Sequence, residues 1–286
     1  MASRLAAFLR IIRPVNCVMM GIAVVLSELV ALQGFPDIYT LILGFVTAFA
    51  LTAASMVVND YFDFQVDLVN APWRPLPSGL IRRNEAILYA VFFAIVGVVA
   101  SFQLNFECLV LAVASLIIST IYNAEGKKFG LLGNFMVSFC VALPFLYGSF
   151  AVKSGGSLLL QILSLAAFLA NTGREVTKGI IDVEGDRVRG VRTIAISRGK
   201  QFAGKLSSLF YLSAVAIGFA PILLGLVWWI YLPFFALSAA GFLIDSLRLA
   251  RSPTELTARA VKKRILLYML LAMVATFLGG FKGLIS

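Results

Sequence analysis

No charged residue interrupts the chain from Leu206 to Ile244, and this stretch constrains the fold more than any other feature. As one helix rising about 1.5 Å per residue it would be nearly twice as long as the roughly 30 Å of hydrocarbon in a bilayer. It must fold back, and the Trp228-Trp229 pair and Tyr231, flanked by Pro221 and Pro233, suit a turn at the membrane interface. The stretch thus divides into spans from Leu206 to Leu226 and from Trp228 to Ile244. Seven further runs of bilayer-crossing length, nearly free of charge, surround it: Pro14 to Leu32, Ile38 to Val58, Ala86 to Leu104, Cys108 to Ala124, Leu131 to Val152, Ser157 to Gly173 and Ile265 to Phe281. The expectation is an all-α polytopic membrane protein, with nine transmembrane helices in one bundle and a single domain over residues 1–286. A composition of 60% hydrophobic against 13% charged residues, with a mean hydropathy of +0.96, excludes the soluble classes.

Nine spans place the termini on opposite sides. With the N-terminus inside, 22 of the 24 Lys and Arg fall on the cytoplasmic side, leaving only Lys153 and Lys282 outside. The net charge of +10 therefore reflects topology rather than nucleic-acid binding, and runs such as Lys262-Lys263-Arg264 suit anionic lipid headgroups. The first apolar run lacks a small-residue cleavage site and reads as an uncleaved span. Loops on the outer side are short, and no protein partner is implied. The expected location is the cytoplasmic membrane, with the active site facing the cytoplasm.

Cys17, Cys108 and Cys140 lie far apart inside apolar runs and read as small hydrophobes, and the chain has no histidine. That absence removes the Ser-His triad and the commonest zinc ligand, so any metal must be held by oxygen.

Oxygen ligands are concentrated in two cytoplasmic segments, about 59–84 and 174–205. Asp60, Asp63 and Asp67 follow the second span at spacings of three and four residues, which on a helix is one face. Like charges so placed repel unless a cation sits among them, and Mg²⁺ is the natural remedy, typically using one or two carboxylates together with substrate phosphates. Asn59 adds a neutral oxygen. After the sixth span, Glu175, Lys178, Asp182 and Asp186 repeat at helical spacing beside Arg174, Arg187, Arg189 and Arg192, a mixture suited to metal plus phosphate. The two stripes lie four spans apart, as in a repeated four-helix unit, and two facing acidic helices could clamp one diphosphate between two Mg²⁺ ions. Lys178 and Arg74 would meet phosphate oxygens left uncovered. Tyr122 and Lys127, in the loop after the fourth span, and Asn16 in the first span complete the candidate substrate-binding set. An allylic cation would need a dry apolar or aromatic pocket, for which the 24 Phe offer ample lining.

Asn59-Asp60-x-x-Asp63-x-x-x-Asp67, then Asn70-x-Pro72-x-Arg74-Pro75-Leu76-Pro77-Ser78-Gly79 and Asp182-x-x-x-Asp186, resembles the UbiA superfamily of intramembrane prenyltransferases. The resemblance spans the chain. It implies nine transmembrane helices, two Asp-rich cytoplasmic motifs, Mg²⁺ and a polyprenyl diphosphate donor. Within the superfamily, Gly173-Arg174-Glu175 through Asp182-Val183-Glu184-Gly185-Asp186-Arg187, then Gly190-x-x-Thr193, is similar to the archaeal digeranylgeranylglyceryl phosphate synthase branch. The acceptor so implied is the hydroxyl of geranylgeranylglyceryl phosphate, a lipid-like molecule, and the product an ether-lipid precursor. The alternatives are an aromatic quinone or chlorophyll-type acceptor and, more distantly, a secondary transporter. Many quinone-type members carry Tyr-x-x-x-Lys after the fourth span, whereas the interval from Tyr122 to Lys127 is one residue longer.

Overall fold

The computed structural model describes residues 4–152, 155–181, 183 and 191–281, and among them every regular element is helical. A short α1 (Arg4–Ile11) precedes α2 (Pro14–Leu32), whose first residue is the proline that fits a helix start. Asp37 opens α3 (Ile38–Phe62) by accepting from the Thr40 amide at 3.0 Å. After Asp63, α4 (Phe64–Asn70) continues on a new axis. α5 (Arg83–Phe102) begins with the Glu85 carboxylate accepting from the Arg82 amide, and α6 (Phe106–Ala124) begins on Asn105, whose side chain accepts from the Cys108 amide. α7 (Leu131–Val152) and α8 (Leu158–Ile181) follow, then α9 (Ile194–Gly218), α10 (Ala220–Leu223), α11 (Tyr231–Arg251) and α12 (Glu255–Gly280).

Nine of these helices, counted among the described residues, have 19 residues or more, one for each apolar run. Seven contain a stretch long and apolar enough to cross a membrane, and Leu158–Ile181 and Glu255–Gly280 are not among them. The expected bounds of Pro14 to Leu32 and Leu131 to Val152 hold to the residue. Others are shorter than the helices that contain them. α3 runs on through Asp60, α8 through Lys178, α9 begins at Ile194 rather than Leu206, and α12 begins at Glu255 rather than Ile265. In α3, α8 and α12 a charged turn continues the helix into water, while in α9 residues 194–198 form a separate turn joined across a kink at Gly199 (φ 84°, ψ 158°), so hydropathy marks where the lipid ends and not where the helix does. The fold-back does occur near the tryptophans, where the Trp228 amide donates to the Gly279 carbonyl at 2.8 Å.

α2, α3, α6 and α7 pack in one group with α5 outside α3, while α8, α9, α11 and α12 pack in a second, joined by α7 against α8. One buried cluster centres on Ile180, Tyr211, Leu249, Val261 and Ile265, another on Ile11, Val57, Leu76, Ile81 and Ala86. Close approach depends on small residues: a Cβ on Gly173 would lie 2.7 Å from the Tyr211 ring. Ile42, Phe92, Ile95, Ile117, Leu237 and Leu270 point outward and are about half exposed or more, an apolar exterior that suits lipid contact.

Candidate active site

α2, α3, α6, α7 and α8 surround a cavity of about 1290 Å³ whose mouth carries the acidic segment after α3 and whose depth is apolar. Asn59, Asp63, Asp67, Arg74, Asn16, Tyr122 and Lys178 all line it, so the structure gathers nearly every described side chain of the expected site. Asp182 and Asp186, and the side chain of Lys127, lie outside the described residues.

The first acidic stripe is not one unbroken helix. Asp63 stands between α3 and α4, and the break there leaves Asp60 and Asp67 sharing one arginine, Arg74. Arg13 donates to Asp60 at 2.5 Å, and Arg74 donates to Asp67 at 2.6 Å with Asp60 at 3.7 Å. Both carboxylates are buried, 3% and 5% exposed, so pairing with cations is what makes their charge tolerable. Burial opposes charge on Arg74, but the hydrogen bond to Asp67 and the fields of Asp67, Asp60 and Asp63 outweigh it and hold the guanidinium above its ordinary pKa. Cations therefore do sit among these carboxylates, and they are guanidinium groups.

Arg13 is the residue that sequence reasoning missed, because it was counted only among topogenic charges. Its backbone is left-handed (φ 52°, ψ 67°) directly before Pro14, which aims the side chain back over α3. Asn59 lies alongside, its amide nitrogen donating to Asn123 on α6 at 2.9 Å and its oxygen 3.5 Å from Arg13.

Across the cavity, α8 presents Arg174, Glu175 and Lys178. Lys178 donates to Glu175 at 2.6 Å and Arg174 at 3.2 Å, while the buried Nε of Arg174 has no hydrogen-bond partner. A buried donor without an acceptor on a cavity wall suits an anion there. Arg13, Arg74, Lys128, Arg174 and Lys178 all reach this wall, whereas Arg82 and Arg83 do not line it.

Among the described residues no group of three or more Asp, Glu or Cys lies close enough together to hold a metal ion. The donor set at the mouth nevertheless fits a hard cation that takes one or two carboxylates and leaves other positions to phosphate. Deeper in, the lining departs from expectation. Among the described residues Phe62 is the one phenylalanine on it, and the wall includes Met19, Met20, Met56, Met136 and Met269, five of the chain's seven methionines, with Leu51, Val137 and Leu143. Methionine is flexible and polarisable and shapes itself to a branched chain, while most phenylalanines face one another or the exterior.

The UbiA prenyltransferase family profile matches residues 19–274. The chain belongs to this family. Among relatives in the UbiA family, digeranylgeranylglyceryl phosphate synthase of Thermococcus sibiricus is 31% identical over 277 residues, covering 96% of this chain and 97% of that protein. The synthase of Thermococcus kodakarensis is 38% identical over 220 residues, covering 77% and 79%. A solved structure of a digeranylgeranylglyceryl phosphate synthase superposes with a TM-score of 0.88 at 31% identity, covering 98% of this chain and 99% of that one. A UbiA homologue from Archaeoglobus fulgidus bound to DMAPP and Mg²⁺ shares the fold, with a TM-score of 0.73 at 19% identity over 94% and 97% of the chains.

Proposed function

We propose that this UbiA prenyltransferase transfers a geranylgeranyl group from its diphosphate to the free hydroxyl of geranylgeranylglyceryl phosphate, in archaeal ether-lipid synthesis. The observation that carries the reading is the cavity itself, with carboxylates and guanidinium groups at its mouth and a largely thioether and aliphatic wall below, interrupted by a few hydroxyls and amides. The names of relatives that span nearly the whole chain support the acceptor.

Asp60, Asp63, Asp67 and the oxygen of Asn59, together with Asp182 and Asp186 of the second motif, would hold Mg²⁺, in this reading two ions, beside the donor diphosphate. Bound there, the metal neutralises the charge that builds on the leaving group. Arg74, Arg174 and Lys178 contribute fixed positive charge to the same oxygens, and Arg13 orients the Asp60 carboxylate. As the allylic C1–O bond lengthens, the dry wall keeps water from the cationic carbon. The acceptor oxygen then bonds to C1, its proton is lost, and diphosphate leaves. Tyr122 and Asn16 line the cavity and would contact the substrate headgroups, with Lys127 in the adjoining loop. The acceptor's own phosphate explains why five cations face one cavity, more than a neutral phenol would need.

The proposed setting is a single domain of nine spans, the N-terminus and both acidic motifs facing the cytoplasm, with substrates and product exchanging through surrounding lipid. Detergent-solubilised protein incubated with Mg²⁺, geranylgeranyl diphosphate and geranylgeranylglyceryl phosphate should give the mass of the diether phosphate and release diphosphate. No product at any donor and acceptor concentration would overturn the assignment.

A further inference from the structure

Asn123, in the last turn of α6, is buried on the cavity wall beside Asn59, and no step of the proposed transfer uses it. Its surroundings fix which way two amides face. Asn123 Nδ2 donates to the Ser55 carbonyl at 3.4 Å, Asn59 Nδ2 donates to Asn123 Oδ1 at 2.9 Å, and Arg13 Nη2 donates to Asn59 Oδ1 at 3.5 Å. A backbone carbonyl accepts and cannot donate; a guanidinium donates and cannot accept. The two ends of this chain therefore agree on one orientation for the amides between them. Turning both over would set the Asn123 oxygen against the Ser55 carbonyl and the Asn59 nitrogen against the Arg13 guanidinium, losing both end bonds at once. Turning either one alone would bring like atoms together in the middle as well.

The consequence lies with Asn59. Its amide oxygen can serve a hard cation, whereas its NH₂ group offers hydrogens and no lone pair. The last torsion of an asparagine side chain is soft, and the contact with Arg13 at 3.5 Å is long, so without Asn123 the amide would turn readily. The oxygen keeps a second lone pair that Arg13 does not take. Position 123 must accept from Asn59 with one atom and donate to Ser55 with its neighbour, which an amide does in one plane. Aspartate has no donor for Ser55, and leucine has neither group.

Resting on the proposed metal site, we infer that Asn123 is a positioning residue: it holds the Asn59 amide with the oxygen free for Mg²⁺ and so sets the affinity for the ion. It acts on binding of the metal and not on the bond changes that follow. Its loss therefore raises the Mg²⁺ requirement and leaves turnover at saturating Mg²⁺ nearly intact.

The test titrates Mg²⁺ in two assays: melting of the solubilised protein with geranylgeranyl diphosphate and no acceptor, and transfer to geranylgeranylglyceryl phosphate. Asn123→Leu, close in size but unable to hydrogen-bond, should raise the Mg²⁺ concentration for half the full effect about tenfold in both assays, a loss typical for the outer partner of a metal ligand. Its kcat at saturating Mg²⁺ should stay within about threefold of wild type. Asn123→Ala supplies a second variant with the same expectation. Asn59→Asp presents an oxygen whichever way the group turns, so adding Asn123→Leu to it should shift the Mg²⁺ requirement less than about twofold. A merely structural Asn123 would lower Tm alike with and without Mg²⁺ and act equally in the Asn59→Asp background. An unchanged Mg²⁺ requirement in both Asn123 variants would overturn the inference, as would an undiminished shift in Asn59→Asp. A wild type indifferent to Mg²⁺ in both assays would overturn it together with the metal site. Mg²⁺-dependent melting without transfer to the glyceryl phosphate would count instead against the proposed reaction, and the melting titration would still decide the role of Asn123.

Discussion

Replacing Arg13 separates two effects that the structure superimposes at one residue. Its guanidinium neutralises the buried Asp60 carboxylate at 2.5 Å, with Arg74 a weaker neighbour at 3.7 Å. Removing one partner of a fully buried pair costs roughly 3–5 kcal/mol, but the Arg13 side chain is 35% exposed and Arg74 remains, so about 2 kcal/mol is the expected loss for Arg13→Ala. The backbone works the other way. Arg13 holds φ 52°, a conformation that costs an L residue roughly 1–2 kcal/mol and glycine almost nothing. Arg13→Gly removes the same side chain yet should retain about 1 kcal/mol more stability than Arg13→Ala. For a chain of this size about 1 kcal/mol is roughly 2–4 °C, so Arg13→Ala should melt about 4–8 °C below wild type in detergent, with Arg13→Gly about 2–4 °C above it. Added Mg²⁺ should raise Tm more in either variant than in wild type, because the vacated carboxylate then has only the metal as a strong counter-charge. A glycine variant no more stable than the alanine variant would refute the backbone argument. Mg²⁺ stabilisation unchanged by the mutation would refute the placement of Asp60 as a ligand.

Asp63→Ala and Asp186→Ala should each abolish turnover while leaving a folded protein, and activity of both within threefold of wild type would contradict the metal clamp. EDTA should inhibit and Mg²⁺ or Mn²⁺ restore, with EDTA-resistant activity after exhaustive dialysis as the opposing result. Gly173→Ala should lower Tm by the equivalent of about 1–3 kcal/mol, since the new methyl would lie 2.7 Å from the Tyr211 ring and 3.0 Å from the Ser207 carbonyl; a change under about 0.5 kcal/mol would show that α8 and α9 are looser than described. In a variant lacking Cys17, Cys108 and Cys140, a cysteine at position 70 should resist impermeant reagent added from outside intact cells, and labelling there would reverse the topology.

Much of this fold is legible because lipid imposes a simple rule on composition, which is why α2 and α7 could be bounded exactly. The extensions of α9 and α12 were legible by another rule that hydropathy ignores. Thr193 and Thr254 accept from the Ile196 and Thr257 amides; Thr254 stands just before the charged turn that disguised the start of α12, and Thr193 before the short turn that meets the rest of α9 at the Gly199 kink. The carboxylates of the candidate site declared themselves by spacing. Of their arginine partners, Arg74 stands in the same motif and could be named, whereas Arg13 meets Asp60 across 47 positions from a left-handed backbone that no local pattern announces. Nor could the choice of methionine over phenylalanine for the wall be read in full, since α3, α7 and α12 carry both types and only packing decides which side each takes.

The most direct test of the central claim is acceptor discrimination by one purified preparation with Mg²⁺ and geranylgeranyl diphosphate. If Arg74, Arg174 and Lys178 serve an acceptor phosphate as well as the donor, geranylgeranylglyceryl phosphate should be prenylated with a kcat/KM at least about a hundredfold above that of its dephosphorylated alcohol or of 4-hydroxybenzoate, a gap of about 2.7 kcal/mol in transition-state stabilisation. Comparable kcat/KM for the phenol would contradict the acceptor assignment and favour a quinone-type reaction in the same UbiA scaffold.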